Sequence, residues 1–129
     1  VTRKIIAVIW LSPVAIPIWL LYLLPAWGLG LIRLKEKRRW GVVFGPGKRW
    51  HLWAWMWSGW VGHAMPFAAV IKRPDWDDAY PRIVDHEMRH CRQWVALGAL
   101  FPIAYGLLTL VFGYRDNPFE VDARAVEFP

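Results

Sequence analysis

A chain of 129 residues can bury one modest core, which excludes two independently folded domains. Its composition is 57% hydrophobic with eleven tryptophans and a mean hydropathy of +0.24, which departs from an ordinary soluble domain and directs attention to a membrane. The net charge of +6 is uneven: residues 1–73 carry eleven Lys/Arg against the single acid Glu36, while residues 74–129 carry five Arg against nine acids. These basic residues flank apolar runs and do not line one recognition face, so a lipid membrane, and no nucleic acid, is the expected partner.

From Ile5 to Ile32 there is no charged residue. About 20 apolar residues are enough to cross a hydrocarbon core of roughly 30 Å, so one transmembrane helix is expected here. Arg3 and Lys4 precede it, "RLKEKRR" (Arg33 to Arg39) comes after it, and Trp10, Trp19 and Trp27 are available as interface anchors. Pro13, Pro17 and Pro25 are expected to kink the helix or end it. A cleaved signal peptide is the rival, but the run is long and "PAWGLG" is a poor cleavage site, so a retained anchor is the preferred reading. The excess of Lys/Arg after the span places the C-terminal part of the chain on the cytoplasmic side by the positive-inside rule. This divides the chain into an anchor with a basic collar, residues 1–39, and a second domain, residues 40–129.

"GVVFGPG" (Gly41 to Gly47) reads as turn-rich punctuation. In "KRWHLWAWMWSGWVGH", Trp53, Trp55 and Trp57 alternate with Leu52, Ala54 and Met56, which is strand periodicity with two apolar faces. A second membrane helix over residues 50–71 competes with this reading, but His51, His63 and the two-residue alternation oppose it. Asp77 or Asp78 is placed to cap a helix from about Pro81 to Leu97. A further apolar run, Gln93 to Tyr114, is interrupted by Gly98, Pro102 and Gly106. In "RDNPFEVDARAVEF", Asn117 suits an N-cap, Pro118 the first helical position and Glu120 the first turn. The lone Cys91 excludes an intrachain disulfide and reads as a packed thiol. The tryptophan series reads as core and membrane-interface packing.

The chemistry lies in "HEMRH". His86 and His90 are four apart, so on a helix both imidazoles can reach one point about 2 Å from each. Glu87 leans to the adjacent face, placed to take a proton from a water activated by zinc. Two exposed histidines on a charged helix face would need no metal, so a third ligand decides the matter. Catalytic zinc usually takes three protein ligands. Downstream of Arg92 the acids are Asp116, Glu120, Asp122 and Glu127, with no further His. Glu120 is the best placed.

"HEMRHCRQW…Y…NPFEVDA" resembles the small gluzincin-type metallopeptidases of bacteria and phages. The matching residues are His86, Glu87, His90, Gln93, a tyrosine at Tyr105 or Tyr114, Asn117, Pro118, Phe119, Glu120 and Ala123. The resemblance spans about forty residues, Asp85 to Arg124, and does not include the anchor. It implies an α+β zincin-like core with a short sheet, a His-Glu-x-x-His helix and a later Glu helix. It also implies a Zn2+ cofactor on His86, His90 and Glu120, Glu87 as the general base, and a protein or peptide substrate. Larger gluzincins carry an Asp four residues after the ligand Glu, where this chain has Arg124; Asp122 or Asp116 is then the candidate carboxylate supporting a histidine. Tyr80, Tyr105, Tyr114 and His63 are candidates to stabilise the oxyanion, and Val61 to Ile71 is the candidate edge strand for an extended substrate.

One geometric condition applies. If residues 94–114 crossed a bilayer in one pass, His90 and Glu120 would lie roughly 30 Å apart and could share no ion. A zinc site therefore requires this run to turn back, either as a helical hairpin broken near Gly98 to Pro102 or as core helices packed against the strands. Two readings of other classes remain. One is a membrane-inserting structural or pore protein, such as a phage virion or lysis component, with a vestigial site, two or three true spans and assembly into a larger particle. The other is an intramembrane zinc protease, a class that usually takes its third ligand from an Asp on a separate helix; the Asn-Pro-Phe-Glu motif does not fit that.

Overall fold

The computed structural model describes residues 2–52, 61–72 and 77–126. The apolar helix runs from Thr2 to Gly28 in three stacked pieces: α1 (Thr2–Ile18), a π-helical turn (Trp19–Leu23) and α2 (Leu24–Gly28). The prolines do not end it. Pro17 removes one N–H from the ladder, and the widened turn after it takes up the mismatch, with Leu24 N donating five residues back to Trp19 O. The buried face therefore passes from Ala7, Leu11 and Ala15 to Leu23 and Ala26, while Ile9, Ile16, Leu20 and Leu21 stay exposed.

The basic stretch expected as a collar on the anchor is β1 (Ile32–Arg38), so the sheet begins within the residues assigned to the anchor. Exposed and half-buried positions of this strand carry its charges, which is why composition concealed it. Likewise "GVVFGPG" is no turn but β2 (Gly41–Pro46). Gly41 is there for close approach, since a Cβ on it would lie 2.6 Å from the Phe67 carbonyl carbon. Residues 61–71 form a hairpin instead of one strand, β3 (Gly62–Met65) and β4 (Ala68–Ile71). This also excludes a membrane helix at those positions. Trp50–Leu52 makes a single 3-10 turn, and the alternating tryptophans at 53–57 lie outside the described residues.

The strands form one mixed sheet in the order β1-β2-β4-β3, with β2 and β4 parallel and the other pairs antiparallel. Strand alternation sends consecutive residues to opposite faces. Phe44, Ala68 and Val70 pack against Leu23 and Ala26 of the apolar helix. Their neighbours Val43 and Ile71 pack on the other face against Tyr80 and Val84 of α3 (Tyr80–Leu97). The fold is thus α+β, with the sheet held between the N-terminal helix and α3.

The β3–β4 turn is fixed from three sides. Phe67 has φ +62°, a conformation that costs a non-glycine residue about 1–3 kcal/mol. Its carbonyl accepts from Val42 N, Trp19 Nε1 donates to Pro66 O at 2.9 Å, and the Cys91 thiol donates to Met65 O and Ala68 O. Trp19 therefore faces the domain and not a headgroup layer. Cys91 is a buried packed thiol, and burial pushes its pKa up.

After α3 the chain breaks at Gly98, whose φ is +60°, and bends by 115° into α4 (Leu100–Asp116). A Cβ on Gly98 would meet the Trp10 ring at 2.6 Å, so glycine permits both the backbone turn and the contact with α1. A second reversal at Gly113 (φ +81°) leads to α5 (Pro118–Ala125), capped by Asn117 as its sequence announced. The apolar run does turn back, though it does so as a bent pair and not as a tight hairpin.

Candidate metal centre

Two reversals bring α5 beside α3. Asn117 holds them in place: its Oδ1 accepts from Phe119 N at 2.9 Å, and its Nδ2 donates to Tyr105 O at 3.1 Å and Thr109 Oγ1 at 2.8 Å. The side chain is fully buried, so each of these bonds replaces one to water. With α5 docked this way, Glu120 lies opposite the histidine pair of α3.

The three polar groups converge closely. Glu120 Oε2 is 3.1 Å from His86 Nε2, Glu120 Oε1 is 3.0 Å from His90 Nε2, and the two Nε2 atoms are 3.2 Å apart. The carboxylate meets the two nitrogens with different oxygens, and one donor atom from each of the three residues lies within 4.8 Å of the others, close enough for all three to reach one ion. His86, His90 and Glu120 form a group able to hold a metal ion.

The surroundings determine which lone pairs face inward. Gln93 Nε2 donates to Phe119 O at 3.0 Å and to Asp122 Oδ2 at 2.9 Å, so its Oε1 must be the partner of His90 Nδ1 at 2.7 Å. His90 Nδ1 therefore carries the proton and donates it. Its Nε2 then faces a carboxylate oxygen with a lone pair, an arrangement that needs either a proton or a cation between them. Without a cation the proton is favoured: burial works against it, but the Glu120 and Gln93 contacts outweigh burial and raise the His90 pKa. Burial likewise pushes the Glu120 carboxyl up, and the bonds from His86, His90 and Tyr105 more than reverse this, holding it well below the usual range.

No family model, curated protein or solved structure matches this chain. The chemistry of the site therefore stands on its own residues.

Among the other candidates, Tyr105 donates to Glu120 Oε1 at 2.8 Å. Tyr114 lines the same cavity from the end of α4, just after the kink at Gly113. Asp122 is not bound to a histidine directly; it reaches His90 through Gln93 and is itself held by Arg89 at 2.7 and 3.0 Å. The Arg89 bond, against a smaller effect of burial, keeps its pKa low. Asp116 lies exposed at the end of α4. His63 faces the cavity from β3, with its Nε2 2.9 Å from the hydroxyl of Tyr22; burial lowers its pKa to about 4, so it is neutral at pH 7.

His63, His86, His90, Tyr105, Tyr114 and Glu120 line a cavity of about 900 Å³ between β3, α3 and α4. Glu87 lies in its wall, 7% exposed, beside Gly62 of β3: a Cβ on Gly62 would be 3.5 Å from Glu87 Oε1. Among the described residues β3 is at one edge of the sheet, and Val61 to Met65 line the cavity. Sequence reasoning included Gln93 in the motif without a role, and missed the Arg89–Asp122 and Tyr22–His63 pairs. The former is a long-range contact between α3 and α5, and the latter joins a membrane-type helix to a strand. Neither leaves a local spacing signal.

Proposed function

We propose that this protein is a membrane-anchored zinc metallopeptidase with a zincin-like core. The observation that carries the reading is the convergence of His86, His90 and Glu120, from two separated motifs, at the edge of a cavity that also holds Glu87. Two neutral imidazoles and a carboxylate suit zinc, and the softer thiol, Cys91, points away from them. Zinc bound there would supply Lewis acidity, making water a nucleophile near neutral pH and polarising a peptide carbonyl.

The chain's own residues supply the rest. Gln93, held by Phe119 O and Asp122, keeps His90 in the tautomer that offers Nε2. Glu87 is the proton acceptor, and the neighbouring strand edge at Gly62 is where an extended substrate would add, its scissile bond brought within reach of the carboxylate. Tyr105 donates to Glu120 and so fixes that carboxylate, while neutral His63 and Tyr114 face the cavity as hydrogen-bond partners for a developing oxyanion.

Anchorage rests on the helix Thr2–Gly28. Only 17% of its most apolar window is buried, whereas a helix in the core of a soluble protein would be mostly covered. Metal analysis of the full chain in detergent should give about one zinc per chain, lost in His86→Ala and in Glu120→Ala. Glu87→Gln should keep zinc and lose proteolysis by at least about 100-fold; unchanged activity in that variant would refute the mechanism, and no stoichiometric metal in the parent would refute the site.

A further inference from the structure

The outer side of α4 is strongly apolar and uncovered. Leu107, Leu110 and Val111 are 59%, 84% and 72% exposed, and Leu100, Ile103 and Phe112 continue the same surface. This surface belongs to the wall of the candidate site, since Phe101, Pro102 and Tyr105 on the inner side of α4 line the cavity. It is also continuous with the apolar helix: Leu11 and Ala15 pack on Trp94 and Phe101, and Trp10 lies against Gly98.

Length then fixes depth. The helix Thr2–Gly28 is 27 residues, or about 40 Å at about 1.5 Å per residue, against a hydrocarbon core of about 30 Å. The domain docks along it from Leu11 to Ala26, about 22 Å of its length. Even if all the excess length projects at the Gly28 end, about 15 Å of the docked stretch lies within the hydrocarbon. The part of the domain at that level is the end of α3 and the start of α4. Basic groups bracket the span, Arg3 and Lys4 before it and Arg33 to Arg39 after it, which complements anionic headgroups at both levels.

We infer that α4 is embedded in the lipid bilayer beside the N-terminal span, and that the cavity behind it receives its substrate from the membrane as an unwound, membrane-embedded polypeptide segment. The substrate assignment rests on the peptidase reading. A peptide bond in hydrocarbon is normally hidden in a helix, because unpaired backbone groups there are costly. The edge of β3 offers the replacement partners that such a segment needs when it unwinds, and Trp94, Phe101 and Pro102 offer apolar walls for its side chains.

The test is spin-label accessibility in phosphatidylcholine/phosphatidylglycerol vesicles, with the full chain carrying one added cysteine at a time and labelled wild type as the blank for buried Cys91. Leu107→Cys and Leu110→Cys should collide more with lipid-soluble oxygen than with aqueous nickel chelate, matching Leu21→Cys on the span and opposite to Lys37→Cys on β1. Water-like values on α4 with lipid-like values at Leu21 would overturn the inference and leave the anchor standing, whereas water-like values at both would overturn the anchor as well. In the same vesicles a single-span reporter protein should be cut faster than casein. The reverse order, or no cleavage of either, overturns the substrate assignment, and zinc content then shows whether the peptidase reading has failed at the metal or at the substrate.

Discussion

Replacing Gln93 separates the tautomer argument from simple packing. In Gln93→Leu the 2.7 Å bond to His90 Nδ1 and the 3.0 Å bond to Phe119 O are lost, while Asp122 keeps Arg89. Two buried groups left without partners should lower stability by about 2–4 kcal/mol. The metal effect is separate: losing the group that orients a ligating histidine typically weakens binding about 10- to 100-fold, or about 1.4–2.7 kcal/mol. Gln93→Glu loses the donor to Phe119 O and Asp122 and sets a second carboxylate against Asp122, so it is also destabilised, but it still accepts from His90 Nδ1 and should hold zinc within a few-fold of the parent. Zinc affinity is measured by competition with a chromophoric chelator in detergent, with helix content followed by circular dichroism. Equal losses in the Leu and Glu variants at preserved helix content would refute the role given to Gln93.

Asn117→Ala removes two hydrogen bonds that tie α5 to α4 and the one that caps α5, and should cost about 2–4 kcal/mol in chemical denaturation while weakening zinc binding through displaced Glu120; full affinity would show that α5 is held otherwise. His63 has a folded pKa of about 4 against an ordinary 6.5, so the unfolded chain takes up the proton first as pH falls; its contribution is complete above pH 6.5 and lost by about pH 4, about 3 kcal/mol in all. His63→Gln should therefore lose less stability than the parent between pH 6.5 and 4, and parallel denaturation curves across that window would count against the burial assigned to this residue. Removal of residues 1–31 takes Leu11, Ala15, Leu23 and Ala26 out of two of the clusters and should leave a chain that does not fold, as read by near-ultraviolet circular dichroism; a folded, zinc-binding fragment would contradict this.

The site was more legible in the sequence than the sheet was, for physical reasons. His86, Glu87 and His90 show themselves through helical spacing, and Asn117-Pro118 announces the helix that carries Glu120. Both signals are local. The strands lacked such signals: β1 is hidden under five charged residues from Arg33 to Arg38 with only Leu34 between them, and β2 under glycines, of which Gly41 serves contact with Phe67. The reversal between the motifs was derivable only as a condition for metal binding. Its means, the left-handed backbone at Gly98 and Gly113, looks in sequence like any interruption of an apolar run.

The N-terminal helix does more than tether. A sheet of four short strands has two faces to cover, and α3 covers only one; the other is closed by Leu23, Ala26, Tyr22 and Trp19 of the apolar helix. The same helix holds the elements that shape the cavity, through Trp19 on the β3–β4 turn, Tyr22 on His63 and Leu11 against Trp94 and Phe101. Between the two sets of contacts lies the π turn, Trp19–Leu23. On the proposed anchorage, a tilt of this helix in the bilayer would be carried to both walls of the cavity through these contacts.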